Sequence, residues 1–309
     1  MSDWPTPPLR DDCVALFPGQ GSIGRGAGVA WRESKHWALV ERIGAAANVD
    51  VESLLLRATD EEVVRTDRAQ LATLALSLVG YRELLDRGIR PRYLVGHSLG
   101  EFSALVAAGL LTVEDGARLI GVRGRAMARA AEERAGSMVA LMGGSDAARS
   151  ALALLDDVWV ANINGPDQLV VSGTRAGLDK LLAQHKDLGW RRATPLAVGG
   201  AFHSPLMQPA QAEFDHSLKA VEWGATEATL IANVDGHVHV TASDWRQLLS
   251  RQLTSPVQFM AAVETLPAGV TTTIEMPPGG VLTGLTKRIR PFSSQYAPGT
   301  LLDLQELTL

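Results

Sequence analysis

Ser98 stands in Gly96-His97-Ser98-Leu99-Gly100, between an apolar run ending at Val95 and a helical pattern beginning at Gly100. Gly-x-Ser-x-Gly between a strand and a helix is the setting in which a sharp turn lifts a serine hydroxyl above a sheet. The flanking glycines keep side chains out of that turn. The helix that follows offers a positive dipole end and first-turn amides that can stabilise an oxyanion on an attacked carbonyl. The chemistry this suits is acyl transfer through a serine ester. A serine at its free pKa is a weak nucleophile, so a base must lie within hydrogen-bond reach, and chain order does not say which histidine that is.

Seven histidines compete for the role. His36, His185 and His216 lie in polar helical stretches, and His237 and His239 flank a turn that hints only weakly at a metal. His97, next to the serine, is expected to point away from it. His203 follows the small, irregular turn Gly199-Gly200-Ala201-Phe202 and precedes Pro205, which can open a helix, so its ring is expected in a cleft. Arg123, in Val122-Arg123-Gly124, reads on residue type alone as an exposed arginine on a helix.

The elements that must hold these residues follow from periodicity. Val14 to Phe17 reads as a buried strand delivering the loop Pro18-Gly19-Gln20-Gly21-Ser22. Gln70 to Asp86 is helical, and Tyr93 to Val95 is a second strand leading to Ser98. Thr112 with Asp115 resembles a capping box opening a helix that runs past Met127. Strand and helix alternating at this scale argue for a mostly parallel sheet with helices on both faces, an α/β-hydrolase-like large domain. From about Ala131 to Ala197 the texture changes to short strands (Met138 to Met142, Val158 to Ile163, Leu169 to Ser172) alternating with helical patterns at Asp146 to Leu154 and Arg175 to His185. This predicts an inserted, ferredoxin-like α+β subdomain. The division expected is 13–130 with 198–309 for the large domain, 131–197 for the small one, and 1–12 as a flexible tail. The large domain resumes with a helix beyond Pro205 and a strand-turn-helix at Thr272 to Lys287.

Composition narrows the function classes. A chain of 309 residues, 46% hydrophobic and 20% charged, can bury a sizeable core. A net charge of -5 gives no general attraction for nucleic acid or an anionic membrane. Cys13 is the only cysteine, which excludes an internal disulfide and a thiolate cluster and favours a reducing cytoplasm. The N-terminal stretch lacks the apolar core of a signal peptide, and the longest apolar runs fall short of the roughly 20 residues that span a bilayer.

The segments FPGQGS, GHSLGEFSALVAAG, VRGRAM, AFHSPLM and QLTSPVQF occur in the order found in malonyl-CoA:acyl carrier protein transacylases, discrete relatives of the acyltransferase domains of polyketide and fatty acid synthases. The resemblance runs from Val14 to about Arg288. It implies Ser98 as nucleophile, His203 as base and later acid, and Gln252 orienting His203 through its backbone carbonyl. It further implies an oxyanion hole from the amides of Gln20 and Leu99, and Arg123 as the holder of the malonyl carboxylate. A planar guanidinium that stays charged when desolvated suits that role. Phe202 resembles the malonyl-selective form of the specificity motif, where methylmalonyl-selective members carry a small residue. The expected reaction is ping-pong transfer of malonyl from coenzyme A to the phosphopantetheine thiol of an acyl carrier protein, in fatty acid or polyketide synthesis, with malonate decarboxylase systems using the same chemistry. No metal or cofactor is expected, and monomer is the family default.

This sequence departs from the family pattern at Ile23, at Ala69-Gln70-Leu71-Ala72 and at Glu275-Met276-Pro277-Pro278-Gly279, which bears on the shape of the cleft rather than on a catalytic role. Three rival readings meet specific residues. Gly19-x-Gly21-x-x-Gly24 matches a dinucleotide fingerprint literally, but Glu41, at the right distance, lies in a helical pattern rather than at a strand end. A serine thioester hydrolase shares the elbow but usually carries its histidine late, after an Asp or Glu. A non-catalytic carrier-binding protein would need neither the serine elbow nor the histidine turn. A transacylase for another acyl group, such as methylmalonyl, is the remaining variant.

Overall fold

Strand β1 (Leu9–Phe17) carries the alternation that organises the larger half of the molecule. Val14 and Leu16 point to one apolar cluster, whereas Cys13, Ala15 and Phe17 point to another, as a period of two requires. A strand buried on both faces needs helices above and below it. The first cluster is closed by the helices Phe259–Glu264 and Val281–Ile289, and the second by Thr66–Asp86, Leu99–Ala107 and Val113–Glu133.

The remaining strands are β2 (Arg90–Gly96), β3 (Gly136–Met142), β4 (Val158–Gly165), β5 (Gln168–Thr174), β6 (Arg192–Pro195), β7 (Thr229–Ile231), β8 (Thr272–Glu275) and β9 (Ser294–Tyr296). The computed structural model describes residues 6–308. One sheet has the order β7-β2-β1-β8-β9 with every pairing parallel. The other has the order β4-β5-β3-β6 with every pairing antiparallel. In chain order the latter reads β-α-β-β-α-β, with helices Asp146–Leu152 and Arg175–Gln184, which is the ferredoxin-like arrangement. Val139, Leu141, Leu169 and Val171 pack beneath those two helices with Trp190, while Met138 and Val170 on the opposite face join the core of the larger half. A bridge between Asn162 and Val257 ties the two sheets together, with Ile163 N donating to Val257 O at 2.9 Å and Val257 N to Ala161 O at 2.9 Å.

The stretch expected as a tail differs. Residues 1–5 lie outside the described residues, but Leu9 to Asp12 belong to β1, where Leu9 pairs with Arg90 and Arg10 with Pro91. Its polar sequence is tolerated because these residues are only partly buried and Arg10 Nε donates to Asp12 Oδ1 at 3.1 Å. The short strands β6, β7 and β9 add to the elements that periodicity predicts. At three or four residues each, they show no usable period. No helix among the described residues is long and apolar enough to cross a membrane.

Register brings the functional loops together. Phe17 at the end of β1 pairs with Gly96 at the end of β2, so both loops leave the same edge of the parallel sheet, where ligands of open α/β folds bind. His97 N donates to Phe17 O at 3.0 Å, fastening the two loops side by side.

Candidate active site

Ser98 has φ 54° and ψ −108° and caps the helix Leu99–Ala107. A non-glycine residue held there costs of order 1–3 kcal/mol and persists only where its surroundings enforce it. The surroundings here are backbone. A Cβ on Gly100 would lie 1.9 Å from Phe17 O, and one on Gly96 would lie 2.1 Å from Glu101 N. Both positions of the elbow therefore require glycine. Asn233 completes the enforcement: its Oδ1 accepts from Ser98 N at 2.6 Å and its Nδ2 donates to Gly96 O at 2.8 Å.

His203 sits at φ 57°, buried, on a tight turn in which Ser204 Oγ donates to Ala201 O at 2.6 Å. Its Nε2 is 2.8 Å from Ser98 Oγ, and its Nδ1 is 2.7 Å from the backbone oxygen of Gln252. A carbonyl only accepts, so Nδ1 carries the proton and Nε2 is left to accept from the serine hydroxyl. Gln252 ends the helix Ala242–Gln252, where the last carbonyls have no intrahelical donor and are free to take the imidazole. Burial, reinforced by the positive charge of Arg123, pushes the His203 pKa down to about 3, so the ring is neutral at physiological pH.

Arg123 is not the surface arginine that residue type alone suggested. It is 1% exposed, at the middle of the helix Val113–Glu133, whose N-cap Thr112 accepts from Asp115 N as the capping pattern implied. Its Nη1 donates to Gln70 Oε1 at 2.7 Å, and its Nη2 donates both to Gln252 Oε1 at 2.8 Å and to Ser98 Oγ at 3.2 Å. The guanidinium also lies over the Phe102 ring, 5.4 Å from its centroid. Nε is buried and, among the described residues, has no acceptor. Burial lowers the pKa of Arg123 to about 10, so the cation persists at neutral pH beside the serine with donor capacity to spare.

Gln20 opens the short helix Gln20–Ser22 and Leu99 opens the helix behind Ser98, so neither amide has an intrahelical acceptor. Among the described residues neither amide makes any hydrogen bond. Phe202 is buried immediately before His203, in the core that the two halves share. His97 turns from the serine as expected, with Nε2 2.9 Å from Asn164 Oδ1 and its ring against Phe259. His36 reaches Asp86, and His239 pairs with Asp235 at 2.9 Å. Among the described residues no three metal-ligating side chains converge.

Three residues of the site carried no role in the sequence reading. Gln70 belonged to a segment noted only as a departure, yet it anchors Arg123. Asn233 gives no local signal, because it acts across 135 residues of chain. Glu101 did give one: an acid directly after the elbow in an otherwise apolar helix is rarely buried without a partner.

The geometry agrees with similarity to known proteins. Residues 14–299 match the family model described as the acyl transferase domain. The chain is 38% identical over 285 residues to the malonyl CoA-acyl carrier protein transacylase of Bacillus subtilis, covering 89% of each chain. It superposes on the malonyl-CoA:acyl carrier protein transacylase of Xanthomonas oryzae with a TM-score of 0.90 at 35% identity, covering 96% of this chain and 97% of the other. A malonyl-transacylase solved in complex with its type II polyketide acyl-carrier protein gives a TM-score of 0.90 at 31% identity, covering 95% and 98%. With this coverage, and with a serine elbow, histidine turn and buried arginine meeting at one point, the chain belongs to the acyltransferase family of the malonyl-CoA:acyl carrier protein transacylases.

Proposed function

We propose that this protein transfers a malonyl group from coenzyme A to the phosphopantetheine thiol of an acyl carrier protein, through an ester on Ser98, in the cytoplasm. The observation that carries the reading is the continuous chain from Arg123 Nη2 to Ser98 Oγ, from Oγ to His203 Nε2, and from Nδ1 to the Gln252 carbonyl. It couples a base and a cation to one nucleophilic atom.

In the first half-reaction, neutral His203 takes the Ser98 proton as Oγ attacks the thioester carbonyl. The negative charge on that oxygen faces the amides of Leu99 and Gln20, and the Gln252 carbonyl stabilises the imidazolium through Nδ1–H. His203 then gives its proton to the departing sulfur of coenzyme A, leaving malonyl on Ser98. The carrier thiol reverses the sequence: His203 takes its proton, sulfur attacks the ester, and Ser98 recovers a proton from His203. Arg123 pairs with the free malonyl carboxylate, and its buried Nε–H, which has no protein acceptor among the described residues, leaves it donor capacity for that contact. Such pairing also offsets the positive charge that holds His203 weakly basic, so the base strengthens when the right acyl group is bound. Phe202 limits room for an α-methyl branch.

The test is transfer from malonyl-CoA to a phosphopantetheinylated carrier, with discharge to water measured alongside. Carrier-dependent discharge of a stable malonyl-enzyme supports the reading; rapid loss to water without carrier would make the protein a thioester hydrolase.

A further inference from the structure

Glu101 takes no part in the steps above, yet the residue is 1% exposed, three residues from the nucleophile. Its Oε1 accepts the main-chain amide of Asn233 at 2.7 Å, and its Oε2 accepts Gln252 Nε2 at 2.5 Å. Gln252 Nε2 also donates to Ser98 O at 2.9 Å, while Gln252 Oε1 accepts from Arg123 Nη2 at 2.8 Å. A side-chain amide has one donating end and one accepting end, and its neighbours decide which way it faces. Above its pKa of about 7 the Glu101 carboxyl is ionised and only accepts. Glu101 therefore draws the NH₂ of Gln252 to itself and leaves the oxygen facing Arg123, which holds Nη2 within 3.2 Å of Ser98 Oγ.

We propose that Glu101 is a positioning residue which, acting through the side-chain amide of Gln252, aims the Arg123 guanidinium at the anionic end of the acyl group. The proposal rests on the acyltransferase reading and deepens it: selectivity for a carboxylate-bearing acyl group depends on a second, buried carboxylate that never touches the substrate. Glu101→Gln is nearly isosteric but cannot support the arrangement. Its amide oxygen is needed by Asn233 N, so its NH₂ meets the NH₂ of Gln252. Turning Gln252 over relieves that clash only by setting its NH₂ against Arg123 and its oxygen against the Ser98 carbonyl.

The experiment compares kcat/KM for acylation by malonyl-CoA and by acetyl-CoA in the wild type, Glu101→Gln, Arg123→Ala and the double variant. Glu101→Gln is expected to lower the malonyl-to-acetyl ratio roughly ten-fold or more, the worth of one charge-assisted hydrogen bond. In the Arg123→Ala background the same change is expected to leave the ratio where it stands, because the relay then has nothing to aim. Equal losses for the two acyl groups, or an undiminished effect without Arg123, would overturn the proposal while leaving the acyltransferase reading intact. Should Glu101→Gln not fold, Glu101→Asp keeps an acceptor-only group but shortens its reach to Gln252, and a smaller loss of the same selective kind is expected; equal loss of both activities would overturn the proposal. A wild type that forms no malonyl-enzyme would remove the acyltransferase reading itself, and this inference with it.

Discussion

Asn233 Oδ1 accepts the amide of Ser98 at 2.6 Å, while the Nδ2 of the same side chain donates to Gly96 O at 2.8 Å, so a single asparagine brackets the nucleophile's turn from both sides. A strained φ at Ser98 is affordable because Asn233, just past β7 on the strand paired with β2, supplies the hydrogen bonds that the turn cannot supply itself.

Replacing that asparagine should expose the cost of the strain. Asn233→Ala leaves the part-buried Ser98 amide and the buried Gly96 carbonyl without this partner, for a loss of about 2–3 kcal/mol in urea unfolding, with acylation of Ser98 slowed as the elbow relaxes. Wild-type stability together with wild-type acylation would show that the glycines alone hold the turn.

The role proposed for Arg123 is to hold the acyl group rather than the coenzyme. Arg123→Ala should lower malonyl transfer by about 10- to 100-fold and acetyl transfer far less, as measured by kcat/KM with the two thioesters. Equal losses would place the cation in service of the serine and not of the substrate carboxylate.

Selectivity against a branched acyl group is the task given to Phe202. Phe202→Ser should raise the use of methylmalonyl-CoA relative to malonyl-CoA by a factor reflecting about 1–3 kcal/mol, the usual range for one methyl group. An unchanged ratio in direct competition would put the discrimination elsewhere in the cleft.

A pH dependence of stability follows from Glu101. Burial raises its pKa from 4.5 to about 7, against the lowering influence of its Asn233 and Gln252 hydrogen bonds and of Arg123, with Asp235 adding to the rise. Because the folded value lies above the unfolded one, the stability this carboxyl contributes is full below about pH 4.5 and is lost as pH rises through 7. Glu101→Gln does not titrate, so the stability of the wild type relative to this variant should fall by about 3 kcal/mol between pH 4.5 and 8. A difference that stays constant across that range would contradict a buried, titrating Glu101.

What the sequence reveals and what it conceals divide along physical lines. Ser98 and His203 each lie in a short motif whose local turn sets the side chain's direction, whereas Arg123 reads on residue type as a surface residue and only the packing of its helix turns it inward. The ferredoxin-like half is legible because its strands β3, β4 and β5 each have seven or eight residues, long enough to stand out as apolar runs. The strands β7 and β9, three residues each, exist only because β2 and β8 offer them an edge. Leu9 to Asp12 looks like a polar tail for the same reason: pairing with Arg90 and Pro91, not local preference, makes it strand. The brace at Asn233 and the relay through Glu101 and Gln252 join residues more than 130 positions apart, and no window along the chain contains both ends.

The central claim is a malonyl ester on Ser98. The most direct measurement is intact-protein mass spectrometry after brief mixing with malonyl-CoA, followed by peptide mapping, on the wild type and on Ser98→Ala. A malonyl adduct on the wild type, mapped to the peptide holding Ser98 and absent from the variant, is the predicted result; an adduct that persists in Ser98→Ala would contradict the account.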